Sequence, residues 1–382
     1  MKYFLCIWML LPAFVFAQQQ SDSLVTVDSL DIQIGQMIMI GIGPRQNFEA
    51  DDSFLYNLEK GYVGGIIFYE KNIDRATPRK SLRGMVLGYQ QASRIPLFVS
   101  IDEEGGRVNR LKTKYGFSET KSAAWLAAQN NMDSTKTYTM NAVHNMYDVG
   151  INLNYAPDID LAINPENPVI AKVERSFGAT ADEVIPQAKA VIDTHHLMGI
   201  GTVLKHFPGH GSSKSDTHFG VADVTDFWQF EELTPYRALL DSGLVDGIMT
   251  AHIVNANLDS RKFPATLSDK VITGILRDFL KYDGVVFSDD MQMHAISKQY
   301  GFENAVKMAI LAGVDVLMFA NNVPGYENVT VKDLHQLIRS MVDEGEISAE
   351  RIKTSYERIM KLKRKIGIAR EGYVEKLAER LK

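Results

Sequence analysis

The sequence predicts an α/β protein built as a single (β/α)8 TIM barrel with extra C-terminal helices. Three observations carry this expectation. Eight short apolar runs rich in Val, Ile and Gly recur along the 382 residues. Amphipathic segments separate them. Ionisable side chains gather where the runs end, which is where a barrel enzyme keeps its reactive groups.

The runs are Gly35–Gly41, Gly64–Tyr69, Pro96–Asp102, Ile151–Ala156, Gly201–His206, Gly247–Ile253, Gly284–Ser288 and Val314–Phe319. They are apolar on both faces, as parallel strands covered on both sides are. Between them Arg79–Gln91, Ala123–Asp148, Ala181–Leu197, Trp228–Asp241, Ser268–Leu280 and Phe302–Leu311 carry apolar residues at spacings of three and four. Strands alternating with helices in this number favour the barrel over an open doubly wound sheet, although periodicity cannot count strand neighbours. No GxGxxG follows the first run, which weighs against dinucleotide binding. The tail Val331–Leu381 is helical, with a break at Gly345, and reads as closing helices that pack on the barrel or lid it.

Residues 1–17 read as a secretory signal peptide. Lys2 precedes an apolar run from Tyr3 to Phe16, and Val15-Phe16-Ala17 offers small residues at the cleavage positions. That run is shorter than the ~20 residues of a membrane-spanning helix, so no membrane span is expected in the mature protein. Residues 18–30 form a polar leader and 31–382 the barrel domain. The protein is expected to be exported, periplasmic or secreted. The only cysteine, Cys6, lies inside the signal segment, so a mature chain has no disulfide, thiol nucleophile or Cys-rich metal site. A net charge of −6 gives no electrostatic reason to expect nucleic acid.

At the strand ends stand Asp102-Glu103-Glu104-Gly105-Gly106-Arg107 with Arg110 beyond, Asp158 and Asp160, Lys205-His206, His252, and Asp289-Asp290. The segment from Lys205 to Gly211 is a loop, because Pro208 and two glycines break any helix. Farther along that loop Asp216 and His218 are two apart, so in an extended segment both face one side. A carboxylate beside an imidazole orients the ring and favours its protonated form, a usable acid near neutral pH. By position alone this remains open to a solvated surface loop. One of Asp289 and Asp290 could cap the next helix while the other reacts.

Lys205-His206-Phe207-Pro208-Gly209-His210-Gly211 with Asp216-x-His218, Ile101-Asp102-x-Glu104-Gly105-Gly106-Arg107-Val108-x-Arg110, Arg175-Ser176-Phe177-Gly178, and Phe287-Ser288-Asp289-Asp290-Met291-x-Met293 together resemble glycoside hydrolase family 3. They are most similar to its bacterial β-N-acetylglucosaminidases. The resemblance implies a (β/α)8 barrel and a retaining exo-β-N-acetylglucosaminidase, with Asp289 as nucleophile and Asp216–His218 as acid/base dyad. It implies that Asp102, Arg110, Arg175, Lys205 and His206 bind a substrate with terminal N-acetylglucosamine, without cofactor or metal. Family β-glucosidases carry a Glu acid/base on a second domain for which this chain has no room. The well-known Gram-negative relatives work in the cytoplasm on imported cell-wall fragments, whereas this chain carries an export segment. A neutral His base would also admit phosphate in place of water, giving a phosphorylase. The rivals are another family 3 hexosidase, a metallohydrolase using His206, His210, Asp216, His218, His252 and Asp289, and a non-catalytic sugar-binding barrel.

Overall fold

The computed structural model describes residues 29–215, 222–293, 296, 299–322 and 328–382. The expected signal peptide, residues 18–28 of the leader, and Asp216 and His218 lie outside these.

Eight parallel strands close into a barrel in chain order. They are β1 (Ile38–Gly41), β2 (Gly65–Phe68), β3 (Phe98–Ile101), β4 (Leu153–Asn154), β5 (Gly201–Phe207), β6 (Gly247–Thr250), β7 (Val285–Asp290) and β8 (Val316–Phe319). Each of the eight expected runs overlaps one of these strands, although β5 continues to Phe207 and β7 to Asp290, past the ends of their runs. The barrel closes because β1 pairs with β8, Ile38 opposite Leu317. Its interior is filled by large rings set against glycines. Phe98 and Phe287 meet edge to face at 6.1 Å, and Tyr155 meets Phe287 at 5.9 Å. A Cβ on Gly247 would stand 2.7 Å from the Phe287 ring, so only glycine leaves room there.

Several boundaries differ from expectation for local reasons. The single helix expected over Ala123–Asp148 is two, Ala123–Ala128 and Met132–Val149, because Asn130 turns to φ 46° and the Asn131 side chain caps the second. The run Gly247–Ile253 breaks after Thr250, and Ile253–Val254 leaves the barrel to pair with Ala222–Asp223. The helix expected from Trp228 starts as a 3-10 turn at Phe230–Leu233 before Thr234–Asp241. An unexpected helix, Asp52–Lys60, fills the connection from β1 to β2, capped by Asp51 and stopped by Gly61 at φ 80°. Ser268 stands just ahead of the helix Lys270–Phe279 and accepts the Val271 N–H.

The tail forms helices Val331–Asp343, Ala349–Lys365 and Tyr373–Leu381. The second of these closes the N-terminal end of the barrel, so a lid role over the strand C-termini is not its own. Its buried Lys363 ammonium donates to Gln36 Oε1 (2.7 Å), Gly64 O (2.9 Å) and Pro96 O (2.7 Å), groups just ahead of β1, β2 and β3. Arg351 and Arg358 of the same helix reach Asp315, which is fully buried ahead of β8. The C-terminal end of the barrel is thereby left to the loops. Among the described residues no helix is long and apolar enough to cross a membrane.

Candidate functional site

The site is assembled at the C-terminal strand ends. After β3 the chain turns sharply on Gly105 (φ 94°) and Gly106 (φ 58°). A Cβ on Gly105 would lie 2.2 Å from the Lys121 carbonyl oxygen, so the tight turn requires glycine. That turn brings Asp102, Glu104 and Arg110 together. Lys205, near the end of β5, is buried and donates to Asp102 Oδ1 at 2.8 Å and to Glu104 Oε1 at 2.6 Å. Arg175 grips Glu104 with two bonds of 2.8 Å, the fork geometry that suits a carboxylate. Burial pushes the Glu104 carboxyl up, but Arg175 and Lys205 more than reverse this and hold it well below the usual range.

Arg175 also reaches His206 Nε2 at 3.1 Å. Since the guanidinium can only donate, Nε2 accepts, and the His206 proton sits on Nδ1, donated to Asp160 Oδ2 at 2.7 Å. Asp160 further accepts from the His210 N–H at 2.8 Å. Burial raises the Asp160 carboxyl, yet these donors hold it below its ordinary value. Asp158 goes the other way. Burial first, then the Asp160 charge, push it well up, although Arg175 Nε stands 3.3 Å away. Asp158, Asp160 and His206 place ligand-type atoms within 4.8 Å of one another. The cation in this cluster is already built in, as Arg175, which weakens the metallohydrolase reading.

Arg110 lies 3.6 Å from Asp102 Oδ2 and 5.9 Å from the Tyr69 ring centre. The buried Tyr69 phenol is raised well above its usual range by burial and then by the charges of Asp102 and Asp290. The phenol thus senses both the β3 cluster and the β7 end.

Asp289 and Asp290 close β7 and, as consecutive strand residues, face opposite ways. Asp290 is buried and engaged: its Oδ1 accepts from the N–H groups of Gln292 (3.1 Å) and Ala320 (3.0 Å). Asp289 is half-buried, with Oδ1 accepting the Asp290 N–H at 2.8 Å. His252, fully buried, donates from Nε2 to the Asp290 carbonyl at 3.0 Å and contacts Thr266 Oγ1 at 2.8 Å. Both anchor the strand end that carries Asp289.

Asp216 and His218 fall outside the described residues, but both ends of their loop are fixed on this same barrel face. Asn167 donates to His210 O and Gly211 O, Asn164 to Ser213 O, and Val224 to Val254 O. The Lys214 ammonium sits 3.4 Å from the Phe227 ring centre, bridging the loop's base.

Of the residues expected to bind substrate, Asp102, Arg110, Arg175, Lys205 and His206 form one connected cluster. Sequence reasoning did not single out Glu104 and Asp160 as its anchors. Their signal was present, since both are carboxylates just past a strand end.

Comparison with known proteins agrees with this picture. The glycosyl hydrolase family 3 N-terminal domain matches residues 29–362. A beta-hexosaminidase of Tolumonas auensis is 34% identical over 73% of this chain and 82% of its own length. Beta-hexosaminidase A of Pseudoalteromonas piscicida is 31% identical over 80% of this chain, which spans 54% of that longer protein. Among solved structures, a glycoside hydrolase family 3 β-N-acetylglucosaminidase from Paenibacillus sp. superposes with a TM-score of 0.80 at 31% identity, over 92% of this chain and 68% of that one.

Proposed function

The chain belongs to glycosyl hydrolase family 3 and is a glycoside hydrolase, and on that premise we propose that it is a retaining exo-β-N-acetylglucosaminidase. It removes terminal β-linked N-acetylglucosamine from peptidoglycan fragments or related glycans outside the cytoplasm, after export by its N-terminal segment. One observation carries the assignment of the chemistry. Of two adjacent carboxylates closing β7, Asp290 is buried and bonded to two N–H groups, whereas Asp289 is the half-buried one at the mouth.

In this reading Asp289 attacks the anomeric carbon while His218, protonated and oriented by Asp216, gives its proton to the leaving oxygen. The C–O bond to the aglycone breaks and an ester bond to Asp289 forms. Neutral His218 then takes a proton from water, whose oxygen attacks the same carbon and restores the free Asp289 carboxylate. Asp102 accepts from sugar hydroxyls, and Arg110, Arg175, Lys205 and His206 frame the sugar and its acetamido group. The relatives are beta-hexosaminidases, which supports hexosaminide over glucoside.

The test is a turnover panel of nitrophenyl N-acetylglucosaminide, nitrophenyl glucoside and peptidoglycan fragments, with and without phosphate, the product anomer being read by NMR. Release of the β-anomer of free N-acetylglucosamine is expected. Faster glucoside turnover makes it another hexosidase of the family, a sugar phosphate makes it a phosphorylase, and an α-anomer overturns the two-step mechanism. Export is tested by fusing residues 1–30 to a reporter; a cytoplasmic reporter refutes it.

A further inference from the structure

Glu103 stands between two residues assigned to the sugar, yet it faces away from the mouth. Its side chain is buried at 2% exposure. Oε2 accepts the backbone N–H groups of Arg110 at 2.8 Å and Leu111 at 3.0 Å. Its own backbone is clamped to β4, since the Glu103 N–H donates to Asn154 Oδ1 and Asn154 Nδ2 donates to Glu103 O, each at 3.0 Å. One residue therefore ties both ends of the turn that carries Asp102 and Arg110 to the barrel wall. The Arg110 guanidinium depends on this tie, because its Nε makes no hydrogen bond among the described residues and its nearest carboxylate is 3.6 Å away. Among the described residues the other carboxylate oxygen, Oε1, is buried without a partner, and Glu103 lines a cavity of about 30 Å³.

We propose that Glu103 is the positioning residue for the Asp102–Arg110 pair, holding the sugar-facing turn through its ionised carboxylate and loosening it on protonation. The proposal rests on the hexosaminidase reading above. Two N–H groups on one oxygen are charge-assisted bonds while the carboxylate is ionised, and such bonds are roughly twice as strong as neutral ones. Burial pushes the Glu103 carboxyl up to about 7, against the two N–H bonds that lower it. The change thus falls in a physiological range. The charged and titratable groups facing it are Asp102, Glu104 and Arg110 on its own segment, Asp158 past β4, Arg175, and Lys121, Tyr138 and His195 around the cavity. Burial lowers His195 to about 4, so it stays neutral across the range of interest. Asp158 is raised by burial and is a second titrating candidate, so the experiment must isolate Glu103.

Inhibition of nitrophenyl N-acetylglucosaminide turnover by N-acetylglucosamine is measured from pH 5.5 to 8.5 in the wild type and in Glu103→Gln. The glutamine keeps an acceptor for the two N–H groups but cannot ionise. The wild-type Ki is expected to weaken roughly tenfold as pH falls through the region near 7, the scale of one charge-assisted contact. E103Q should hold the weaker value at every pH, with kcat at pH 8 changed by less than about threefold, since only positioning is lost. A pH-independent wild-type Ki overturns the proposal, as does a wild-type slope retained in E103Q, which would place the titration on another group of the site, Asp158 or His218. If E103Q does not fold, Glu103→Asp decides: a charge on a shorter arm must weaken Ki at pH 8, and an unchanged Ki overturns the proposal. Absence of turnover on every sugar in the panel instead removes the hexosaminidase reading and this inference with it.

Discussion

Replacing Glu104 by glutamine removes one unit of charge from the centre of the site at nearly constant shape. Its side chain is 6% exposed, Lys205 is 2% exposed and Arg175 is 14% exposed, so the three charges sit largely out of water. Burial pushes the Asp158 carboxyl toward its neutral form, and Asp102, Glu104 and Asp160 are the carboxylates that face Arg110, Lys205 and Arg175. Glu104→Gln leaves one positive charge without its partner. Breaking a buried pair from one side costs about 3–5 kcal/mol, and the retained amide oxygen places this case near the lower end, about 3 kcal/mol. The assay is the urea midpoint of wild type and variant from pH 3.5 to 8. Because the folded Glu104 carboxyl is held below its ordinary 4.5 by Arg175 and Lys205 against burial, its stabilisation is fully present above pH 4.5. It fades only as pH falls below that value toward the depressed one. The gap between the proteins should therefore be constant from pH 6 to 8 and shrink below about 4.5. A gap under about 1 kcal/mol at pH 7, or one that grows on acidification, refutes the buried-pair argument.

Four further outcomes are expected. Asp289→Ala should abolish turnover of every substrate, whereas Asp290→Asn, which keeps an acceptor for the Gln292 and Ala320 N–H groups, should retain measurable kcat; equal loss in both removes the distinction between them. His218→Ala should slow natural glycans by about 10²–10⁴ and nitrophenyl substrates far less, because a good leaving group needs no acid; equal slowing contradicts the role. Glu103 has a folded pKa of about 7 against an ordinary 4.5, so its burial costs stability that grows as pH rises through that window. E103Q should melt higher than wild type at pH 8, by the equivalent of up to about 3 kcal/mol, but not at pH 4. Lys363→Met should lose about 2–4 kcal/mol in urea by stranding three acceptors, with kcat at 25 °C unchanged because the N-terminal end of the barrel takes no part in chemistry.

The barrel was legible in the sequence because each parallel strand is covered on both faces and so spells a continuous apolar run. Helix Asp52–Lys60 was missed although Asp51 and Gly61 mark its ends; only Asn57 and Leu58 are buried along it, so it offers little apolar stripe to read. The site was legible as a collection of strand-end residues, but not as a circuit. Nothing in a sequence says that Arg175 grips Glu104, 71 positions away, or that Asp160 is the partner of His206. The choice between Asp289 and Asp290 had the same limit. Both sit at the strand end, and only the loop returning from β8 shows that Ala320 occupies Asp290.

The two ends of the barrel handle buried charge in opposite ways, and the contrast explains how one end can bind. At the closed end Lys363 has three acceptors, and Asp315 collects Arg277, Arg351, Arg358 and Ser355. Such groups gain little by exchanging partners, so that end is stable and chemically inert. At the open end Arg110 stands 3.6 Å from Asp102, beyond a good hydrogen bond, with both side chains partly exposed. Lys205 fixes only the other oxygen of Asp102, at 2.8 Å. A sugar hydroxyl can then donate to Asp102 Oδ2 and accept from Arg110 without breaking a good contact first. On the proposed assignment, binding there completes unfinished hydrogen bonds, so the cost of holding these charges in place is met by folding and the sugar need not displace a finished pair.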